Sequence, residues 1–257
     1  MEGYNIFKEK IYKKVGINLS CYKERQMKRR IESLINRNNF TSYDKYFEAL
    51  NTNTKLLEEF INYLTINVSE FYRNPQQWET LEKEILPNLF KTKNKLKMWS
   101  AACSTGEEPY SLAMLLTKFL PLKDIRIIAT DIDEGALSKA NIGIYSKKSL
   151  ENLPKEFIDK YFDKVAESYK ISENIKNTVT FNKHNLLESP YPDNCDLIIC
   201  RNVMIYFTEE TKNEMYHKFY DSLNNNGVLF VGSTEQIILP HRYKLTPLRT
   251  FFYSKTP

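Results

Sequence analysis

The sequence has few of the residues that mark a phosphate-binding loop or a metal centre. Only 7 of its 257 residues are glycine, and it has neither a G-x-G-x-x-G nor a G-x-x-x-x-G-K-[ST] motif. The three histidines, His184, His217 and His241, are scattered and have no local cluster of ligands around them. These absences argue against dinucleotide and triphosphate ligands and against a metal site.

Cysteine pairs and long hydrophobic runs are also missing. Cys21, Cys103, Cys195 and Cys200 form no C-x-x-C motif. The first ten residues lack the apolar core of a signal peptide, and no apolar run approaches the roughly 20 residues that span a bilayer. We therefore expect a reduced, cytoplasmic protein.

Composition and charge indicate a folded protein with a basic N-terminal part. The chain is 42% hydrophobic and 13% aromatic, which is enough for a real core in one or two domains. Its net charge is +5, and residues 1–66 carry 12 Lys and Arg against 8 Asp and Glu, a net +4. The N-terminal part is thus the one expected to meet an acidic partner.

One stretch, residues 97–116, predicts a strand, a tight loop of small residues and a helix. Residues 97–102 are mostly apolar, and residues 101–106 have little side-chain bulk. Glu107 and Glu108 suit the positive end of a helix, and Pro109 suits its first turn. This is the first half of a βαβ unit, where doubly wound folds bind nucleotide-like ligands.

A second apolar run, residues 125–130, ends in Asp131. A carboxylate at the tip of the second strand is placed to accept both hydroxyls of a ribose. Without a phosphate loop, the pattern favours a nucleoside ligand such as S-adenosylmethionine. An ordinary strand–helix turn with a surface carboxylate would give the same pattern.

The first 65 residues show helical periodicity and predict four helices. In the second, over about residues 23–37, Met27, Ile31, Leu34 and Ile35 share an apolar face. The opposite face is either merely solvated or docks an acidic partner. Its basic residues are Lys23, Arg25, Arg29, Arg30 and Arg37.

Polar residues mark two further places. Arg73 lies in a short linker just before Asn74 and Pro75, which predict a helix cap and first turn; it is either a surface arginine or a clamp for a carboxylate. Arg201 and Asn202 follow the buried strand predicted over residues 195–200. Residues 169–181 alternate like a small antiparallel hairpin, and residues 243–254 like a terminal antiparallel pair.

Several of these stretches together resemble the CheR family of chemotaxis receptor methyltransferases. The most specific are Ser-Thr-Gly-Glu-Glu-Pro-Tyr-Ser at residues 104–111 and Cys-Arg-Asn-Val-Met-Ile-Tyr-Phe at residues 200–207. Residues 65–74, 129–133 and 185–187 match in order and spacing, so the resemblance covers nearly the whole chain.

The resemblance implies an α/β fold with a small all-α domain in front. The main domain would be a Rossmann-like class I S-adenosylmethionine-dependent methyltransferase, with a doubly wound sheet, a terminal antiparallel hairpin and a small inserted β-subdomain. The expected boundaries are 1–65 for a receptor-docking helical domain, 66–90 for a linker and connecting helix, and 91–257 for the methyltransferase domain, with the β-subdomain at about 162–182.

The resemblance also implies the activity. The enzyme would transfer a methyl group from S-adenosyl-L-methionine to glutamate carboxylates of chemoreceptors, leaving S-adenosyl-L-homocysteine and requiring no metal. Arg73 and Tyr206 match the pair thought to organise the reacting groups, although Tyr206 also fits a core aromatic. The positions that match cofactor contacts are Asn67, Ser69, Arg73, Glu108, Asp131, Asn185, Leu186, Arg201 and Asn202.

The partners implied are methyl-accepting chemotaxis receptors, whose acidic helical region the basic helix would hold. The protein is expected to be a monomer that associates with membrane receptor arrays and binds no nucleic acid. Two rivals stay open: a methyltransferase acting on nucleic acid, which the basic N-terminus would suit, and a non-catalytic cofactor-binding scaffold.

Overall fold

The computed structural model describes residues 3–255. The chain divides into two compact units. The smaller comprises Met1–Asn67 with Met204–Glu214, and the larger comprises Val68–Val203 with Met215–Pro257. Within residues 3–255, no helix is both long enough and apolar enough to cross a membrane.

The smaller unit begins with four helices packed around an aromatic core. The ring of Phe7 lies 5.0 Å from that of Tyr43 and 6.0 Å from that of Phe60. Gly16 ends the first helix at φ 73°, and the Ser42 hydroxyl caps the third by accepting from the Lys45 N–H. The predicted second helix is confirmed. The helices are α1 (Tyr4–Val15), α2 (Glu24–Arg37), α3 (Tyr43–Thr52) and α4 (Thr54–Thr65).

The smaller unit also contains a segment from much later in the sequence. Tyr22 forms a β-bridge with Phe207, and their rings lie 4.8 Å apart. The Lys23 N–H donates to the Tyr206 carbonyl at 2.8 Å, and the Thr208 N–H donates to the Cys21 carbonyl at 2.9 Å. These bonds fix Tyr206 beside the start of α2.

The larger unit is built on a mixed sheet. Within residues 3–255 this sheet has seven strands in the order β6-β2-β1-β7-β8-β10-β9. The first five are parallel, and β10 and β9 are antiparallel at one edge, which confirms the predicted terminal pair. The strands are β1 (Met98–Ala101), β2 (Ile127–Asp131), β6 (Val179–Lys183), β7 (Cys195–Cys200), β8 (Leu223–Val231), β9 (Leu245–Arg249) and β10 (Phe252–Lys255).

A smaller sheet confirms the predicted β-subdomain but corrects its composition. Within residues 3–255 it has three strands, β3 (Ile144–Ser146), β4 (Phe162–Val165) and β5 (Ser168–Ile171), in the order β3-β5-β4. The hairpin predicted over residues 169–181 is wrong, because β5 pairs with β3 and β4 whereas β6 runs parallel to β2. Alternation shows that both segments are strands but does not choose their partners.

The helix after Asn74 is interrupted by a π-helical turn, Leu81–Ile85. Pro87 follows two residues later and has no N–H to donate, which accounts for the irregular turn. The apolar side chains of Trp78, Leu81 and Ile85 are nevertheless buried. The helices here are α5 (Pro75–Thr80), α6 (Leu86–Thr92), α7 (Glu107–Leu116), α8 (Glu134–Ile142), α9 (Lys155–Tyr161), α10 (Glu173–Lys176) and α11 (Glu209–Ser222), of which 209–214 belong to the smaller unit.

Candidate active site

The loop between β1 and α7 adopts a tight conformation that brings its backbone to the sheet edge. Ala102, Ser104 and Gly106 all have positive φ, at 58°, 49° and 93°. A Cβ at Gly106 would lie 2.8 Å from the Ala140 Cβ, so only glycine fits there. The predicted loop of small residues is therefore present, and its backbone conformation and close packing explain why its side chains are small.

Asp131 ends β2 and ties this loop to the next one. Its Oδ2 accepts from the Ser104 N–H at 2.7 Å, and its Oδ1 accepts from the Asp133 N–H at 3.0 Å. Burial raises the pKa of Asp131, and the backbone N–H donors oppose that shift. The Ile132 N–H is a third donor to this carboxylate. A carboxylate has about four acceptor positions, so these three bonds still leave room for a ribose hydroxyl.

The two glutamates at the start of α7 have different partners. Glu107 accepts from the Thr105 hydroxyl at 2.7 Å and also hydrogen bonds to Ser69. Glu108 accepts from the Ser100 hydroxyl at 2.8 Å and lies 3.7 Å from an Arg201 nitrogen. Burial raises the pKa of Glu108 to about 7, and the Arg201 charge opposes the shift.

Arg201 follows β7 and directs its guanidinium at the segment that contains Arg73. Its side chain is 2% exposed. One guanidinium nitrogen, Nη2, donates to the Arg73 carbonyl, the Asn74 Oδ1 and the Gln77 Oε1, at 2.8, 3.1 and 2.8 Å. Burial lowers the pKa of Arg201, and the Glu108 carboxylate opposes that shift. Arg201, which was predicted to contact the cofactor, thus holds the backbone of Arg73 in place.

The Arg73 segment is held in a strained backbone shape. Tyr72 and Asn74 have positive φ, at 50° and 60°. The Tyr72 N–H donates to the Ser111 hydroxyl, and the Trp78 indole donates to the Arg73 carbonyl, both at 3.1 Å. Asn74 is the N-cap residue of α5 and Pro75 is its first residue, as predicted, but the Asn74 side chain accepts from Arg201 and makes no capping hydrogen bond.

The turn after β6 is built by its own side chains. Asn185 Oδ1 accepts from the Leu187 N–H at 3.0 Å, and the Tyr191 hydroxyl donates to the Leu186 carbonyl at 2.9 Å. The His184 Nε2–H donates to the Pro190 carbonyl at 3.1 Å. Asn185 and Leu186 therefore lie on a preformed turn at the carboxyl end of a strand, as Asp131 and Arg201 do.

Asn202 shows a contact that the sequence analysis missed. It has φ 62°, and its backbone N–H donates to the Glu235 carboxylate at 2.6 Å. Glu235 is 6% exposed. It follows β8, the strand next to β7 in the sheet, and no pattern in the sequence pointed to this contact.

Asn67 and Tyr206 lie in the smaller unit, whereas Arg73 and the other predicted cofactor residues lie in the larger one. The Asn67 amide donates to the Thr65 hydroxyl at 3.1 Å. Tyr206 is half-buried and lines a cavity of about 470 Å³, so it is not a core aromatic. The pairing of Arg73 with Tyr206 stays a prediction.

The basic residues of α2 divide into two groups. Lys23, Arg29 and Arg30 line the cavity with Tyr206. Arg25 is exposed and does not line it, and Arg37 pairs with Glu59 at 2.6 Å. The two acidic residues of α2 are engaged elsewhere, since Glu24 pairs with Lys8 and Glu32 accepts from the Tyr43 hydroxyl.

Arg30 is fixed by α4. Its guanidinium lies 4.6 Å from the centre of the Tyr63 ring and donates to the Tyr63 carbonyl. Arg37 lies over the same ring at 5.2 Å. Tyr63 therefore orders two basic side chains of α2.

The residues of the larger unit fit a nucleoside that carries positive charge. Asp131 ends β2, Glu108 lies in the first turn of α7 after β1, and Glu235 follows β8, so all three carboxylates follow strands of the parallel part of the sheet. The loop between β1 and α7 contains no lysine or arginine to hold a phosphate. Within residues 3–255, no group of three or more His, Cys, Asp or Glu side chains has the arrangement of a metal site.

Comparison with known families gives two matches that together span almost the whole chain. Residues 2–65 match the all-alpha domain of CheR methyltransferases, and residues 67–252 match the SAM binding domain of CheR methyltransferases.

Individual relatives agree with this result. A chemotaxis protein methyltransferase of Listeria monocytogenes is 42% identical over 256 residues, covering 99% of this chain and 98% of the relative. One of Borreliella burgdorferi is 35% identical over 257 residues, covering 91% and 90%. One of Escherichia coli is 33% identical over 256 residues, covering 95% and 88%.

The sheet order and these matches show that the chain has the class I S-adenosylmethionine-binding methyltransferase fold, preceded by an all-α N-terminal domain. Within that class, the chain belongs to the CheR methyltransferase family. The family resemblance seen in the sequence is confirmed.

Proposed function

We propose that this protein transfers a methyl group from S-adenosyl-L-methionine to glutamate side chains of chemoreceptors and so forms the methyl esters used in chemotactic adaptation. The observation that carries the proposal is the near full-length match to chemotaxis protein methyltransferases. We further propose that the enzyme is a cytoplasmic monomer that associates with receptor arrays.

In this proposal the cofactor lies along the carboxyl ends of β6, β2, β1 and β7. Asp131 accepts the ribose hydroxyls, and Asn185 and Leu186 meet the adenine ring. Glu108, next to Arg201, faces the positively charged part of the cofactor. The remaining contacts come from Asn67, Ser69, Arg73 and Asn202.

The reaction needs alignment more than proton transfer. A glutamate carboxylate is already ionised at neutral pH, so no general base is required. When bound, the cofactor supplies a methyl group on a sulfonium, which is electrophilic. Arg73 and Tyr206 hold the acceptor carboxylate in line with that methyl group, and orientation of this kind can contribute about 7–11 kcal/mol.

The helical domain, residues 1–65, docks the receptor. Lys23, Arg29 and Arg30 surround the cavity that Tyr206 lines, so an acidic side chain bound there meets positive charge beside the proposed catalytic tyrosine. Arg25 and Arg37 add to the positive potential of α2.

Radiolabelled methyl transfer to receptor-rich membranes tests the proposal. The expected product is label on receptor protein that is released by mild base, as an ester is. Label that resists base, or transfer to RNA or DNA only, would contradict glutamate as the acceptor. Cofactor binding without any turnover would favour a non-catalytic scaffold.

A further inference from the structure

Glu235 joins the carboxyl ends of two adjacent parallel strands. Its Oε2 accepts from the Asn202 N–H at 2.6 Å and from the Gly232 N–H at 2.9 Å. Asn202 follows β7 by two residues, and Gly232 directly follows β8. One carboxylate oxygen therefore bridges the exits of both strands.

The contact is too closely packed to tolerate a larger residue at position 232. A Cβ on Gly232 would lie 2.5 Å from the Glu235 Oε2, 2.8 Å from the Asn202 backbone nitrogen and 3.0 Å from the Asn202 side-chain nitrogen. Gly232 thus lets the Asn202 backbone and side chain, and the Glu235 carboxylate, meet at one point.

The backbone of Asn202 is in the left-handed region, at φ 62°. Asparagine enters this region more readily than other non-glycine residues do, and a single residue is held there where its surroundings impose the conformation. The charge-assisted bond from Glu235 imposes it here, since a carboxylate is a stronger acceptor than a carbonyl oxygen.

We propose that Glu235 is a positioning residue for the cofactor site, which fixes the Arg201–Asn202 turn so that Asn202 presents its side chain to the cofactor. This inference rests on the proposed function, because it takes Asn202 as a cofactor contact. Glu235 acts through Asn202, so it need not touch the cofactor itself.

Calorimetry of S-adenosyl-L-homocysteine binding to the full-length chain tests the inference. We expect Glu235→Ala to raise Kd by about tenfold or more, because two backbone N–H groups lose their acceptor. Glu235→Gln keeps an acceptor oxygen and should recover most of the affinity. The matched control is Glu151→Gln, at an exposed glutamate of the same unit, which should bind as wild type does.

A double-mutant cycle with Asn202→Gly separates positioning from general stability. Glycine tolerates the left-handed conformation and removes the side chain. If Glu235 acts through Asn202, the double variant Glu235→Ala/Asn202→Gly should bind no more weakly than the weaker single variant, within about twofold. Effects that multiply would overturn the inference, and so would a Kd for Glu235→Ala within about twofold of wild type.

Three further outcomes of these experiments have the following consequences. If Glu235→Ala does not fold, Gly232→Ala takes its place in the cycle with the same expectations, because its methyl group disturbs the same contact. If wild type itself fails to bind the cofactor product, the proposed function and this inference fall together. Wild-type binding with unaffected variants overturns the inference alone.

Discussion

Arg201 donates a hydrogen bond of 2.8 Å to the backbone carbonyl of Arg73, although 128 positions separate the two residues in the sequence. Its guanidinium also lies 4.7 Å from the centre of the Phe230 ring. Since the Arg73 carbonyl is held from outside its own segment, the proposed catalytic arginine is placed by the end of β7 and not by the linker sequence alone.

Arg201→Lys should therefore impair catalysis as well as stability. Lysine is shorter than arginine and has a single nitrogen, so it cannot place a donor at the Nη2 position and also keep the contacts with Glu108 and the Phe230 ring. We expect kcat to fall by about tenfold or more and the free energy of unfolding to fall by about 2 kcal/mol, in line with loss of hydrogen bonds to a charged group. Methyl-transfer kinetics and urea unfolding measure the two effects.

The control for this substitution is Arg126→Lys, at an exposed arginine of the larger unit whose guanidinium donates to the carbonyl of the preceding residue. It should leave both quantities unchanged. Wild-type kcat in Arg201→Lys would show that Arg201 does not position Arg73.

Glu108 should make the stability of the protein fall as pH rises. Its pKa is about 7 in the folded chain against an ordinary value of 4.5, so the folded state keeps a proton that the unfolded state loses. The stabilisation is complete below about pH 4.5 and is lost as pH rises through about 7. Within that window the slope reaches about 1.4 kcal/mol per pH unit for one proton.

Glu108→Gln should remove this part of the pH dependence, because glutamine does not titrate. Urea unfolding of both proteins at several pH values across the window gives the comparison, and Glu167→Gln, at an exposed turn, serves as control. Equal slopes for wild type and Glu108→Gln would contradict the shifted pKa. Other carboxylates, such as Asp131, contribute equally to both proteins.

Asp131 has two roles that substitution can separate. Asp131→Ala removes the proposed ribose acceptor and also the acceptor of the Ser104 N–H. Asp131→Asn keeps one acceptor oxygen, so it should retain the loop better while binding the cofactor more weakly than wild type. Calorimetry should show affinity in the order wild type, Asn, Ala, with Asp124→Asn as an exposed control. Equal affinity for wild type and Asp131→Ala would remove Asp131 from the ribose role.

Arg73→Ala and Tyr206→Phe should lower kcat by more than they weaken cofactor binding. Within residues 3–255, the one side-chain hydrogen bond of Arg73 is long, at 3.3 Å to the Val68 carbonyl, and its backbone is fixed independently by Trp78 and Arg201. Removing its side chain should therefore spare the fold. Steady-state kinetics at saturating substrate, set beside calorimetric affinity, measures the split. If either variant turns over at the wild-type rate, the residue it replaces has no catalytic role.

Features encoded locally were predictable from the sequence. The loop after β1 was recognisable because small residues, acidic residues and Pro109 follow one another within a few positions. The helices of the smaller unit were recognisable because their apolar residues repeat at helical spacing. The four cysteines, predicted to be reduced, are free thiols.

Features that depend on distant partners were not predictable. The partner of β5 was misassigned because alternation does not specify pairing. The position of Asn74 as the N-cap residue of α5 was predicted, but its acceptor role for Arg201 was not, because that bond depends on the tertiary fold. Glu235 was missed for the same reason: its two N–H donors come from the ends of separate strands, and only the sheet order brings them together.

The last prediction concerns the receptor-facing charge of α2. Reversing Arg30 or Arg37 would be a poor test, because Arg30 is bound to Tyr63 and Arg37 to Glu59, so a change there also alters the fold. Arg29 is exposed, lines the cavity of Tyr206 and leaves the buried face of α2 untouched. Arg29→Glu is therefore the cleaner charge reversal.

We expect Arg29→Glu to raise KM for receptor several-fold at low salt, by about 3-fold to 10-fold if one pair of charges near a protein surface is reversed. The difference from wild type should shrink at high salt, because the Debye length falls from about 10 Å at 0.1 M to about 3 Å at 1 M. Cofactor affinity should not change. The matched control is Lys45→Glu, which makes the same change of charge at an exposed site on α3. If both variants raise KM for receptor equally, the net charge of the protein governs docking and the basic face of α2 has no special role. If neither variant raises KM at low salt, that face is merely solvated.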